Sequence, residues 1–180
     1  MTTTSLAISI PFVLIMVLAA ASDLRTRRIP NVLTVAGMAA APVLWGLLDG
    51  PVVALASIVG GGLALVVGMT LFALGALGGG DAKLLVVTGA FLGPARLVSA
   101  LLLIGITGGV LALAVAVGRG RLLGTLARVW HLSLHLTTLG RKGAPHHIES
   151  PGSLTIPYGV AIAVGSLMTW FIFSPDLLAR

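Results

Sequence analysis

The stretch Gly78-Gly79-Gly80-Asp81-Ala82-Lys83 separates two long apolar segments. An acidic residue placed directly after three glycines, between apolar segments, has no evident packing purpose. Glycine removes side-chain bulk and allows positive φ, so another backbone segment has room to lie directly against this one. The sequence therefore predicts a functional site at Asp81, shaped by Gly78 and Gly80.

The composition is that of an integral membrane protein. Of the 180 residues, 57% are hydrophobic and 9% are charged, and the mean hydropathy is +1.11. A soluble domain of this composition would lack the polar surface needed to cover its core. The net charge of +6 is assigned to cytoplasmic loops and not to nucleic-acid binding. Because the chain has no cysteine, disulfides, thiolate zinc sites and a cysteine nucleophile are excluded.

The apolar segments predict an all-α polytopic membrane protein with about six transmembrane helices, forming a single membrane domain over residues 1–180. The expected spans are 6–21, 32–48, 52–77, 82–92, 97–117 and 154–173. The fourth is short because Gly93-Pro94 interrupts it, since an unbroken helix would place Arg96 near mid-membrane at a cost of about 2.5–3.5 kcal/mol. Within 118–151, a basic amphipathic helix is expected on the cytoplasmic membrane surface, before the last span.

The distribution of the basic residues predicts how the helices are oriented across the membrane. Of the eleven Lys and Arg residues, nine fall on one side. They are Arg25, Arg27, Arg28, Lys83, Arg119, Arg121, Arg128, Arg141 and Lys142. By the positive-inside rule this side is cytoplasmic, and both chain ends face outward from the cytoplasmic (inner) membrane. The arginines of the first loop are interpreted as topology signals and contacts to lipid phosphates.

Two of the five acidic residues form the candidate pair. Asp49, Glu149 and Asp176 have ordinary explanations in a turn, a polar loop and the chain end. Asp23 and Asp81 fall at helix ends on the cytoplasmic side. Two converging carboxyl groups share one proton, and this is the arrangement that an aspartyl hydrolase needs. The ionised acid takes a proton from water attacking an amide carbonyl, and the protonated acid polarises that carbonyl.

Three short motifs resemble a known family. Gly78-x-Gly80-Asp81 resembles the GxGD motif of intramembrane aspartyl proteases, and Gly80-Asp81-Ala82-Lys83-Leu84 is similar to its fuller form in type IV prepilin peptidases. The first aspartate of that family lies in a loop ending Ile-Pro-Asn, and here Asp23 is followed by Ile29-Pro30-Asn31. Ile156-Pro157-Tyr158-Gly159 resembles a family segment that packs near the site.

The resemblance implies an aspartic endopeptidase that needs no metal or other cofactor. Its substrates would be prepilin-like proteins, whose short basic leader is cut on the cytoplasmic side, before the pilin's hydrophobic helix. Pilus-assembly machinery and membrane lipid are the further expected partners. Longer bacterial members carry a cytoplasmic insert with paired Cys-x-x-Cys motifs linked to N-methylation. Without that insert the chain resembles the short forms of Flp-type tight-adherence pili or related archaeal filaments, and methylation is not expected.

The expected catalytic residues are Asp23 and Asp81. The expected substrate-binding or site-shaping residues are Gly78, Gly80, Lys83, Pro30, Asn31, Pro157, Tyr158 and Gly159. Lys83 is equally well interpreted as a membrane-topology anchor. His146-His147-x-Glu149 lies in a Gly- and Pro-rich loop and is interpreted as solvated, not as a metal site.

Two other classes of function remain open from the sequence. A small proton-coupled transporter would also place carboxyl groups at membrane depth, but it should show acids near mid-helix and a repeat between the chain halves. A non-catalytic membrane subunit of a pilus or secretion machine would tolerate the loss of both aspartates.

Overall fold

The computed structural model describes residues 3–118 and 157–173, and all regular secondary structure in those residues is α-helical. The helices are α1 (Thr3–Thr26), α2 (Asn31–Asp49), α3 (Pro51–Ala73), α4 (Gly79–Gly118) and α5 (Tyr158–Phe173). The all-α prediction is confirmed for this part of the chain. The basic amphipathic helix expected after residue 118 lies outside the described residues, as does His146-His147-x-Glu149.

Four of the helices, α1 to α4, are long and apolar enough to cross a membrane, with mean hydropathies of 1.6 to 2.5. Helix α5 is apolar but has only 16 residues. Large apolar side chains also cover much of the outer surface, and Val32 and Leu47, for example, are 81% and 79% exposed. Such a surface suits lipid and not water, so the chain is an integral membrane protein. The described residues thus contain five helices and four candidate spans, compared with the six crossings that the sequence predicts.

Helix α4 is bent at Gly93, as the Gly93-Pro94 pair predicts. Gly93 has φ 71° and ψ 174°, a conformation in which a Cβ would be strained. Pro94 has no N–H to donate to the carbonyl of Ala90, four residues earlier. The hydroxyl of Ser57 in α3 takes its place, donating to the Ala90 carbonyl at 2.7 Å in the buried interior. The kink is therefore held by a side chain from a neighbouring helix.

Replacing Ser57 with alanine is expected to lower the free energy of unfolding by about 1–2 kcal/mol, because the Ala90 carbonyl would be left buried without a donor. Thermal unfolding in detergent measures this loss. Thr70→Ala is the matched control on the same helix. Its hydroxyl donates to the Val66 carbonyl at 2.8 Å, which the helix already pairs with a backbone N–H. Equal losses in the two variants would contradict the proposed role of Ser57.

Aromatic side chains from four helices pack around this kink. Phe12 lies against Phe91 and Trp170, with ring centroids 4.9 and 5.1 Å apart, and Trp45 lies 6.4 Å from Trp170. The Trp45 indole N–H also donates to the Phe91 carbonyl at 3.2 Å. These rings fix α1, α2 and α5 around the first part of α4.

The first part of α4 is buried on almost every side. All residues of 84–92 are buried, while Lys83 near the helix start is exposed. A helical segment that is buried around its whole circumference belongs to the core of a helix bundle. The contact with α3 is made through glycines, because a Cβ added to Gly60 or Gly89 would overlap the carbonyl oxygen of the other. This close packing fixes the start of α4, and with it the position of Asp81.

Two helix boundaries near the site differ from the sequence prediction. Helix α1 continues to Thr26, whereas the sequence predicts that Asp23 begins a loop. Nothing between Asp23 and Thr26 stops a helix, and basic side chains are favourable in a last turn. Helix α3 ends at Ala73 and not at Leu77, and Gly75 at φ 72° follows its end. A left-handed glycine directly after a helix is a common helix terminator.

The chain forms two compact units, one of residues 1–108 with 157–180 and the other of residues 109–156. The first contains α1 to α3, α4 as far as Gly108, and α5. The described part of the second is the end of α4. All residues of the candidate site belong to the first unit, and the single-domain organisation stays a prediction.

Candidate active site

Asp23 lies in the last turn of α1, with its side chain buried. The helix ends just beyond it, where the Arg27 N–H donates to the Asp23 carbonyl at 3.0 Å and Arg27 adopts φ 55°. The Ser22 hydroxyl donates to the Arg28 carbonyl at 2.7 Å. The Thr26 hydroxyl lies within hydrogen-bond reach of two carbonyls, that of Ser22 at 2.9 Å and that of Arg28 at 3.3 Å. These bonds fold the chain back over the helix end, and Asp23 is only 6% exposed.

Asp81 lies in the first turn of α4 and is half-buried. Its Oδ2 accepts a hydrogen bond from the Gly78 N–H at 3.3 Å, in the manner of the third helical residue of a capping box. Gly78 is exposed, and a Cβ there would lie 3.1 Å from the same oxygen. Asp81 therefore has a structural role, because one of its carboxyl oxygens caps its own helix.

The sequence predicts that the glycine run acts partly through positive φ, and this prediction is wrong. Among the described residues the glycines with positive φ are Gly50, Gly75 and Gly93, and Gly79 and Gly80 are already helical. Glycine is needed at position 80 because there is little space for a side chain. A Cβ there would lie 3.3 Å from the Cβ of Ile29, which is buried.

Two contacts connect the segment after α1 to the first turn of α4. The first is Gly80 against Ile29. The second is a hydrogen bond of 2.8 Å from the Lys83 Nζ to the Asn31 Oδ1. Pro30 lies between, as the residue before α2, and its carbonyl accepts from the Leu33 N–H at 3.1 Å. The Ile-Pro-Asn segment therefore joins the helix carrying Asp23 to the helix carrying Asp81.

The Pro-Tyr-Gly segment at the start of α5 meets the site through Gly159. A Cβ at Gly159 would lie 2.9 Å from Oδ2 and 3.0 Å from Cβ and Cγ of Asp23. Pro157 is buried, and its carbonyl accepts from the Val160 N–H at 3.2 Å in the first turn. Tyr158 is partly exposed, and its ring lies near Gly108 of α4.

The carboxyl groups of Asp23 and Asp81 are close enough for the charge of one to act on the other. Asp23 Oδ2 is fully buried and has no hydrogen-bond partner within the described part of the chain. A buried carboxyl oxygen normally finds a donor, because leaving it without one is costly. Asp23 therefore offers a buried oxygen acceptor that no donor in the described residues satisfies, near a second carboxyl group.

The contacts of Ile29 and Ser22 are not evident from sequence reasoning. Ile29 is one of two apolar residues among charged and polar neighbours in Asp23–Asn31, and that isolation is the signal that marks it as a packing residue. Ser22 gives no signal, because a serine at a helix end has many alternative uses.

A family model described as the type IV leader peptidase family matches residues 10–113, which is more than half of the 180 residues. The match includes both aspartates, the glycine run and the Ile-Pro-Asn segment, but not α5. No curated protein and no solved structure matches the chain.

Proposed function

The chain belongs to the type IV leader peptidase family, and from this premise we propose that it is a membrane aspartic endopeptidase that removes the short basic leader from prepilin-like substrates. Asp23 and Asp81 form the catalytic pair. The observation that supports this most strongly is the buried, unpartnered Oδ2 of Asp23 beside a second carboxyl group. Two acids placed together in a poorly solvated position are costly to folding, and that cost is explained if the pair is needed for chemistry.

The pair acts on a water molecule held between the two carboxyl groups. The ionised acid takes a proton from the water as its oxygen attacks the amide carbonyl, and the protonated acid donates a hydrogen bond to the carbonyl oxygen. The C–N bond then breaks. The water oxygen stays in the new carboxyl group, and a proton passes to the leaving amine. No metal is required for these steps.

The substrate backbone approaches beside Gly78 and Gly79. Both residues are exposed and carry no side chain, and the non-helical turn between α3 and α4 precedes them. An extended peptide can therefore lie near Asp81 without displacing a side chain. Lys83 and Asn31 border the same region and hold each other by their hydrogen bond.

The site lies where α1 ends and where α2 and α4 begin, and we place this end on the cytoplasmic side of the inner membrane. In the proposed topology the crossings are α1, α2, α3, the two parts of α4 on either side of Gly93, and α5. Arg25, Arg27, Arg28 and Lys83 then lie on the cytoplasmic side. This places the acids at the membrane boundary, where the hydrophobic helix of a pilin leaves the bilayer. The substrate is a Flp-type or related short prepilin.

Co-expression with a short Flp-type prepilin tests the proposal. We expect the prepilin to lose its leader when the wild-type chain is present, as measured by the mass of the product, and to stay intact with an empty vector. A prepilin left intact by a correctly inserted wild-type chain would contradict the proposal and favour the transporter or the non-catalytic subunit.

Gly80→Val is expected to lower cleavage more than it lowers the amount of inserted protein. The added methyl groups would press on Ile29, which lies 3.3 Å from the position of a Cβ, and would displace the first turn of α4. Quantified cleavage per inserted molecule measures the effect. Gly105→Val is the comparison, because Gly105 lies on the same helix and a Cβ there meets nothing within 4 Å. Equal loss of insertion and cleavage in Gly80→Val would assign Gly80 to folding.

A further inference from the structure

The first turn of α5 covers the carboxyl group of Asp23. Helix α5 begins at Tyr158, and its second residue, Gly159, is buried against Asp23. The amino-terminal end of a helix carries partial positive charge on its unpaired N–H groups, which attract a carboxylate. The carboxyl oxygen that faces this helix end, Oδ2, is the one buried without a hydrogen-bond partner in the described residues.

The space at Gly159 is just sufficient for the Asp23 side chain. Three atoms of Asp23 would lie 2.9 to 3.0 Å from an added Cβ, which is closer than almost all real Cβ contacts. Either the carboxyl group or the helix start would have to move. The helix start is the less mobile of the two, because Pro157 fixes one backbone dihedral and its carbonyl accepts from the Val160 N–H at 3.2 Å.

A second buried glycine of α5 serves a different purpose. A Cβ at Gly165 would lie 2.6 Å from the backbone N and Cα of Ile104 in α4. That contact belongs to helix packing, and it lies almost two helical turns from Gly159. Comparing variants at the two glycines therefore distinguishes the general effect of close packing of α5 from the specific effect of its contact with Asp23.

We infer that Gly159 is a positioning residue for Asp23. The missing side chain lets the start of α5 close over the carboxyl group and hold it toward Asp81. Because no hydrogen bond from the described residues reaches Oδ2, the orientation of this carboxyl group depends on that contact. The inference rests on the proposed function, since it assigns Gly159 a role in the chemistry of the same pair.

Gly159→Ala tests the inference by steady-state cleavage of a prepilin peptide in detergent, normalised to folded enzyme. Displacing a reacting group by about 1 Å lowers the rate by about 100-fold. The shift needed here is a few tenths of an ångström, so we expect kcat to fall by about 10-fold. We expect KM to stay within about twofold, because the substrate contacts are unchanged. Gly165→Ala is the matched control, with lower thermal stability but unchanged kcat per folded molecule. An unchanged kcat in Gly159→Ala, or an equal fall in both variants, would overturn the inference.

If Gly159→Ala folds poorly, a stability measurement tests the contact between Gly159 and Asp23 instead. Asp23→Ala removes two of the three atoms that would meet the new Cβ. The drop in Tm caused by Gly159→Ala should therefore be smaller in the Asp23→Ala background than in the wild type. The same drop in both backgrounds would overturn the inference. Asp23→Asn and Asp81→Asn in the cleavage assay test the proposed function separately. Wild-type rates in these variants would reject the proposed function, while the Tm comparison would still test the contact between Gly159 and Asp23.

Discussion

Asp23→Asn and Asp81→Asn are each expected to lower kcat for leader cleavage by at least about 1,000-fold, since each removes a proton donor or acceptor from the reaction. Asparagine keeps the shape of the side chain and most of its hydrogen bonding. In Asp81→Asn the amide oxygen can still accept from the Gly78 N–H, so the helix cap is retained. Cleavage rates of purified variants, with membrane amounts measured for each, give the result.

The matched control for this pair is Asp49→Asn. Asp49 is the last residue of α2 and is exposed, so it is not expected to contribute to cleavage. A wild-type rate in either Asp23→Asn or Asp81→Asn would reject the two-carboxyl mechanism. A large loss in Asp49→Asn would show that removal of a carboxyl group affects cleavage indirectly, and the loss in the other two variants would then carry no information on mechanism.

Gly89→Val is expected to have the largest effect on folding, with a cost of at least about 3 kcal/mol, at the upper end of what overpacking causes. The new Cβ would meet the backbone of Gly60 and the Cβ of Ala64. A backbone in a packed helix has no rotamer by which to yield, so α3 and α4 would have to separate. The yield of folded protein and its Tm in detergent measure the effect.

Gly62→Val is the control for that variant. Gly62 lies on α3 close to Gly60, but a Cβ there meets nothing within 4 Å. We expect a change in stability within about 0.5 kcal/mol, typical of an unconstrained surface position. If Gly89→Val were as stable as Gly62→Val, the close contact of α3 with α4 would be wrong, and so would the position that it gives to Asp81.

The sequence was sufficient to predict the all-α class and the break at Gly93-Pro94. It did so because these features depend on local chemistry, namely apolar length and a proline without an N–H. The end of α1 has no such clear local signal. Three arginines between Asp23 and Asn31 suggest a loop, yet cations are compatible with a helix end, and the helix continues to Thr26.

The contacts around the two acids could not be predicted from sequence. The bond between Lys83 and Asn31 joins residues 52 positions apart, and the contact between Gly159 and Asp23 joins α5 to α1. Such contacts depend on how helices pack, and the apolar pattern of a membrane helix specifies its packing partners weakly. The motifs indicated which residues matter, but not that Asp81 caps its own helix or that Ile29 supports Gly80.

Cleavage by the purified protein alone is the most direct test of the proposed peptidase activity. Wild-type chain and a short prepilin are reconstituted together in lipid vesicles, with no other pilus component, and the products are identified by mass spectrometry. The proposed peptidase activity predicts a single cut that releases the basic leader just before the hydrophobic helix, and an intact substrate with Asp23→Asn or Asp81→Asn. A substrate left intact by folded wild-type protein, or cut equally by the asparagine variants, would contradict it.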